Sequence, residues 1–252
     1  MENSALRRKK VEELSLYGKP LTGLEKEAVK EQEKIFMAEI KKRYGFFGRI
    51  PFFIDVFLEQ RRTKKNYPEA YAQLQKFGGQ AVKEFPFLIG IFKAIAKREG
   101  RENAYPVLKD MFQKVASTSQ RAMYQVDELV ECEGDVFDNF KKFHIAMFEA
   151  SQDLFHNTNT NENDKLTSIV DKCANVEMAN AFDVPELAPI GCDSDLAGYP
   201  PISDDVNMEF RRPCTIAKGS DECKFLFYRK GTAPDTEEVE GQDVKWDDSL
   251  NK

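Results

Sequence analysis

The run Cys192-Asp193-Ser194-Asp195 puts a thiol and a carboxylate three residues apart. In a helical turn those two side chains share a face, close enough for one to move a proton for the other. A carboxylate beside a thiol raises the thiol pKa, so Asp195 alone would not activate Cys192; a neighbouring cation would reverse that. Arg212 is the candidate cation. Residues 207–217 alternate, so that Met208, Phe210, Arg212, Cys214 and Ile216 share one strand face. An arginine among apolar neighbours needs an anion, either a protein carboxylate such as Asp195 or a carboxylate on a ligand. Spacing leaves both open. It equally allows Cys192 to be buried filler, with Asp193 or Asp195 capping a helix.

The other groups with chemical potential are fewer. Of the two histidines, His144 falls on the apolar side of a predicted helix beside Phe140 and Phe148, as a core or pocket-lining residue does, and His156 opens a polar run. No GxSxG elbow supports a Ser-His-Asp triad, and two histidines make a poor metal site. The five cysteines, Cys132, Cys173, Cys192, Cys214 and Cys223, form no CxxC pair and no zinc-finger spacing. With no apolar export segment in the first twenty residues, reduced thiols and a cytoplasmic setting are expected, with no metal and no cofactor.

Positioning these residues requires a scaffold of two textures. Residues 1–22 read as a polar leader and 23–230 as one α+β domain. Within it, residues 23–155 are helical. Leu24, Ala28, Ile35, Phe36 and Ile40 recur on one face, Gly45 to Pro51 closes that helix, and a second runs from Phe52 to about Lys65. Pro68 opens the next, which stops at Gly78-Gly79, and the apolar run Phe85 to Ala96 is a buried helix. The spacing of Leu108, Met111, Phe112, Val115, Met123, Val126 and Leu129 predicts one helix from about Pro106 to Glu131, and another spans about Asp135 to Phe155. The polar run His156 to Asp164 is expected as a loop.

Residues 165–230 are mixed. Leu166 to Asp171 is β-compatible, Cys173 to Phe182 helical, and Val184 to Leu196 a short helix interrupted by proline. The 207–217 strand is joined through Lys218-Gly219-Ser220-Asp221 to a partner with Cys223, Phe225 and Phe227 on one face. Gly231 to Lys252, with seven acidic and two basic residues, reads as a disordered acidic tail. The predicted fold is therefore α+β: a mainly helical N-terminal two-thirds packed with a small antiparallel sheet formed by the C-terminal third.

Composition narrows the partners. A net charge of −6 and a pI near 5.3 argue against nucleic acid. The basic runs at 7–10 and 61–65 read as a solvated terminus and a solvated helix end. No apolar run is long enough to span a bilayer, so no membrane partner is expected. A homo-oligomer is compatible with the sequence.

The stretch DKCANVEMANAFDVPELAPIGCDSDLAGYPPISDDVNMEFRRPCTIAKGSDECKFLFYRK, residues 171–230, resembles the C-terminal signature of the L-2-amino-thiazoline-4-carboxylic acid hydrolase family. The features that carry the resemblance are Cys173 ahead of a helix, Pro185-Glu186-Leu187, and Cys192 with Asp195. After them come Phe210, Arg212 and Thr215 running into Ala217 and Gly219, then Cys223-Lys224-Phe225. Lys224 stands where such sequences usually carry an acid, and Leu226 where an arginine is common. The closing strands are also similar to small-molecule-binding domains of the 4-vinyl-reductase type. The resemblance implies hydrolytic opening of a carboxylated five-membered thiazoline to a carbamoyl-cysteine, and a small, carboxylated substrate. On that reading Cys192 is the nucleophile or the thiol beside an attacking water, and Asp195 is the acid/base. Arg212 holds the substrate carboxylate, with Thr215 offering a hydroxyl and Phe210, Cys173, Cys223 and His144 lining the pocket. The alternatives are a non-catalytic binding or sensor domain on the same fold, and a related enzyme for another cyclic substrate.

Overall fold

The computed structural model describes residues 8–21, 26–77 and 81–235. The first helix, α1 (Lys26–Asn66), is broken at Gly45, where φ of 73° and ψ of 175° leave the helical region. Glycine reaches that conformation without a Cβ clash. After the short α2 (Pro68–Leu74), α3 (Ala81–Glu99) and α4 (Arg101–Met123) follow, separated by Gly100 at φ 91°. The apolar run expected as a buried helix is the body of α3, where Ile89, Ile91, Phe92, Ala94 and Ile95 are all buried. No helix among the described residues is long and apolar enough to cross a membrane.

The helix expected from Pro106 to Glu131 starts earlier and is split. Pro106 lies in the second turn of α4, and the chain turns at Tyr124 and Gln125 before α5 (Val126–Leu129). Gln125 is left-handed (φ 46°), and its side chain accepts the Leu16 N–H at 2.7 Å. The turn aims the Tyr124 ring inward, to hydrogen bonds that helix periodicity could not reveal. Next, α6 (Val136–Glu149) is capped by Asp135, whose carboxylate accepts the Asp138 N–H at 3.0 Å.

The run expected as a loop at 156–164 is instead mostly strand β1 (Phe155–Asn161). It pairs antiparallel with β2 (Lys165–Cys173), and the sheet order is β1-β2-β4-β3. As an edge strand it needs backbone pairing on one side only, so polar side chains suit it. After β2 come α7 (Ala174–Ala181), a 3₁₀ turn at Pro185–Leu187, α8 (Ile190–Gly198), β3 (Met208–Arg211) and β4 (Cys223–Arg229). The strand expected over 207–217 is shorter: Pro213 lacks the N–H to continue the ladder, and a 3₁₀ turn occupies Ile216–Lys218.

Pairing fixes the inner face of the sheet. Leu166 lies opposite Phe227, which lies opposite Phe210; Ser168 lies opposite Phe225, and Val170 opposite Cys223. This face packs on α6 through Phe140, His144 and Phe148. Two apolar clusters result, one among α1–α4, α7 and α8, the other joining α6 to the sheet. Part of the segment expected as a polar leader joins the second: Val11 and Leu14 are buried there. Residues 1–7 and 22 of that leader, Leu24, Gly78-Gly79 and residues 236–252 of the acidic tail lie outside the described residues.

Candidate active site

Between α4, α8 and the inner face of the sheet lies a cavity of about 430 Å³, within the size range of small-molecule sites. Its walls are mostly apolar: Phe112 and Val115 of α4, Phe148 of α6, Phe155 and Val170 of the sheet, and Phe225 of β4. Polar groups converge on it from four elements. Gln120 comes from α4, Cys192 and Asp195 from α8 with Tyr199 just after it, and Cys173 and Cys223 from the ends of β2 and β4.

Helix α8 realises the spacing read in the sequence. Cys192, Asp195 and Tyr199 sit at i, i+3 and i+7, one helical face, and all three border the cavity. Asp193 points elsewhere. It is buried, accepts the Tyr105 hydroxyl at 2.7 Å, and pairs with Lys109 at 3.0 Å and Lys218 at 3.2 Å. Those contacts tie α8 to α4 and to the turn before β4. Gly198 lets the helices meet, since a Cβ there would stand 2.4 Å from Gln120 Cγ and 2.9 Å from the Ala116 carbonyl oxygen.

Arg212 follows β3 on the inner face and is fully buried. Its Nη1 donates to the Cys192 carbonyl at 2.7 Å and pairs with Asp195 Oδ2 at 3.2 Å. Gln120 Nε2 donates to the other oxygen, Oδ1, at 3.1 Å. Asp195 keeps 23% of its side chain accessible, yet protein surrounds it. The accessible part borders the cavity, so desolvation governs its charge. Burial pushes its carboxyl up to about 7, against the pull of Arg212 and the Gln120 hydrogen bond. A carboxyl near neutrality is fit both to take and to return a proton.

The thiols form a second group. Cys192 and Cys223 are within hydrogen-bonding reach; the shared bond, with burial, drives the Cys192 thiol up and draws the Cys223 thiol down. Cys223 Sγ also accepts the Ile216 N–H at 3.3 Å, which favours the thiolate form at Cys223 over Cys192. Burial pushes Cys173, at the start of α7, up to about 11. All five cysteines are free, and no group of three or more His, Cys, Asp or Glu among the described residues is arranged to hold a metal ion.

Four of the eight residues singled out from sequence, Cys173, Cys192, Asp195 and Cys223, line the cavity. The other four do not border it. Arg212 backs Asp195, and Thr215 is buried at the start of the 216–218 turn. Phe210 packs on Tyr199 at 4.3 Å between ring centroids. His144 is fully buried between Phe148 (4.3 Å) and Phe227 (4.7 Å). Burial pushes its imidazole down to about 3, so it stays neutral. Its Nδ1 meets the Tyr124 hydroxyl at 2.7 Å, and Tyr124 meets the Tyr199 hydroxyl at 2.9 Å. This chain from His144 to the cavity wall, and Gln120, escaped sequence reasoning. Tyr199 sits seven residues after Cys192, which was the one available signal.

An apolar cavity bordered by an acid, an amide, a phenol and a thiol pair is the candidate site of this α+β scaffold. The model of the L-2-amino-thiazoline-4-carboxylic acid hydrolase family matches residues 80–227, more than half of the chain, and the chain belongs to that family. Comparison with curated proteins and with solved structures returned no match.

Proposed function

We propose that this protein opens a small cyclic amidine by hydrolysis, with 2-amino-thiazoline-4-carboxylate as the substrate its family suggests. The observation that carries the reading is Asp195: a carboxyl pushed to about 7 on the wall of an apolar cavity. Starting from the protonated amidine, water adds to the carbon between nitrogen and sulfur, and the Asp195 carboxylate takes the proton water gives up. The tetrahedral carbon then bears OH, two nitrogens and sulfur. As the C–S bond breaks, the sulfur leaves as a thiol with the proton from Asp195. The carbon's hydroxyl proton passes to solvent, leaving a urea carbonyl. Net, one water is consumed and one proton released.

Gln120 and Arg212 orient Asp195 from behind, and Tyr199 hydrogen-bonds the oxygen that water adds to the tetrahedral carbon. On this reading Arg212 is a positioning residue, since both contacts described for it go to α8. The Cys192–Cys223 hydrogen bond favours a second route: a thiol attacks the amidine carbon and gives its proton to the ring sulfur, which leaves as a thiol when the ring C–S bond breaks, and water then displaces the enzyme thiol from the isothiourea adduct to leave the urea. The expected substrate setting is a reducing cytoplasm, in keeping with five free cysteines.

The test is to incubate wild type, Asp195→Asn, Cys192→Ala and Cys223→Ala with the aminothiazoline carboxylate and follow ring loss by chromatography. Asp195→Asn is expected to lower turnover at least about 100-fold, the usual weight of a general acid–base group. Turnover that survives Asp195→Asn and vanishes in a cysteine variant makes the thiol route correct. No turnover by wild type, together with thermal stabilisation by the compound, makes the protein a binding domain.

A further inference from the structure

Independently of the cavity, the second half of α1 carries an apolar stripe that the fold leaves open. Phe46, Phe47, Ile50, Ile54, Phe57 and Leu58 are 40% to 81% exposed, Phe47 most of all. Their three- and four-residue steps place them on one side of the helix, and the same steps continue to Arg61 and Lys65, both exposed. Single exposed apolar residues need no explanation, but a contiguous row does.

Charge identifies what covers it. Residues 41–65 contain eight Lys and Arg and two acids, in a chain of net charge −6. Both acids are engaged within the protein, Asp55 with Lys97 and Arg98, and Glu59 with Arg62. Basic residues stand at both ends of the stripe, Lys41 and Lys42 before it and Arg61, Lys64 and Lys65 after it, while Arg43 and Arg62 are paired with Glu99 and Glu59. A second copy laid along the stripe, parallel or antiparallel, would bring like charges together at both ends. An anionic cover has no such conflict. Two guanidiniums already lie on the apolar rings, Arg49 at 4.3 Å from the Phe46 centroid and Arg61 at 4.4 Å from Phe57. From there their charged heads reach headgroup level while the rings enter the acyl boundary. We infer that this face of α1 docks on an anionic lipid surface, lying in the interface without crossing it. This reverses the expectation, drawn from the lack of a spanning segment, that the protein has no membrane partner.

The test sediments the full chain with vesicles of phosphatidylcholine alone and of equimolar phosphatidylcholine and phosphatidylglycerol. Binding is expected to the mixed vesicles only, weakening as salt rises. A Phe47→Ser/Ile54→Ser variant, with a melting temperature close to that of wild type because both side chains are exposed, is expected to bind at least about tenfold more weakly. Arg61→Ser/Lys65→Ser is expected to lose the preference for anionic lipid. The inference is overturned if neither vesicle is bound, or if Phe47→Ser/Ile54→Ser binds as wild type does. It also falls if wild type doubles its mass with concentration and that variant does not, which would make the cover a second copy.

Discussion

Asp195 and His144 are buried titratable groups whose effects on stability run in opposite directions. The Asp195 carboxyl is raised to about 7 from an unfolded value of about 3.9. Its contribution is therefore full below about pH 4 and is lost as pH rises through about 7. The His144 imidazole is lowered to about 3, so its contribution is full above the unfolded value of about 6.5 and is lost as pH falls towards 3. In wild type the two partly cancel between pH 4 and 7. Asp195→Asn removes one of them. The melting temperature of wild type minus that of Asp195→Asn is expected to grow as pH is lowered from 8 to 4, measured by thermal melts in matched buffers. A difference that stays level, or shrinks near pH 4, would show that Asp195 is ionised throughout.

The same residues set the polarity of the Tyr199 hydroxyl. If neutral His144 accepts at Nδ1, Tyr124 donates to it and Tyr199 donates to Tyr124. If His144 donates, both phenols reverse and Tyr199 can donate into the cavity. Tyr199→Phe is expected to lower kcat about 10- to 100-fold with little change in KM, because the lost bond forms to the oxygen of the tetrahedral carbon and is absent from the ground state. Steady-state kinetics check this, and a change confined to KM would give Tyr199 a role in ground-state binding only.

At the scale of elements, the site depends on how closely α8 lies on α4. Gly198 faces Gln120 and the Ala116 carbonyl with no room for a Cβ. Gly198→Ala is expected to push the helices apart, costing about 1–3 kcal/mol as overpacked core positions do. It also displaces the Gln120 amide from Asp195, so activity falls with stability. Gly90→Ala is the control: its Cβ would meet the Val56 carbonyl at 2.8 Å, in the contact between α3 and α1. A similar loss of stability is expected there, with kcat preserved in the fraction that remains folded. Denaturant melts and active-site titration separate the two. Equal effects on kcat would mean that α4–α8 spacing has no special weight.

At the scale of the molecule, the cavity lies where the two apolar clusters meet, walled by Phe85 and Phe112 from one and by Phe148, Val170 and Phe225 from the other. The segment before α1 completes it. Leu21 borders the cavity, its N–H donates to Ser151 Oγ at 2.9 Å, and Val11 and Leu14 sit in the second cluster. Removing residues 1–21 is expected to cost about 3 kcal/mol or more from two buried aliphatic side chains. For a chain of this size that is roughly 6–12 °C in melting temperature. A truncated chain that melts with wild type would show that the segment adds no net stability.

Much of this was written locally. Hydrophobic period and punctuation specified the helical first half, the break near Gly45, the buried α3 and the antiparallel pairing that ends in Cys223, Phe225 and Phe227, because each depends on neighbours within a few turns. The placement of Cys192 and Asp195 on one face followed from helical geometry alone. What tertiary structure decided depends on partners far apart in the chain. The polar run at 156–161 became a strand because β2 offered it a free edge. The helix predicted to Glu131 broke at Gln125, in the turn that carries Tyr124 to His144 and Tyr199. Residues 8–21 became core because α6 and the sheet left an apolar face for Val11 and Leu14. Sequence alone also left the anion of Arg212 undecided between ligand and protein. Folding set Asp195 and the Cys192 carbonyl against its guanidinium, since a fully buried charge must be met by whatever polar atoms the packing brings within reach.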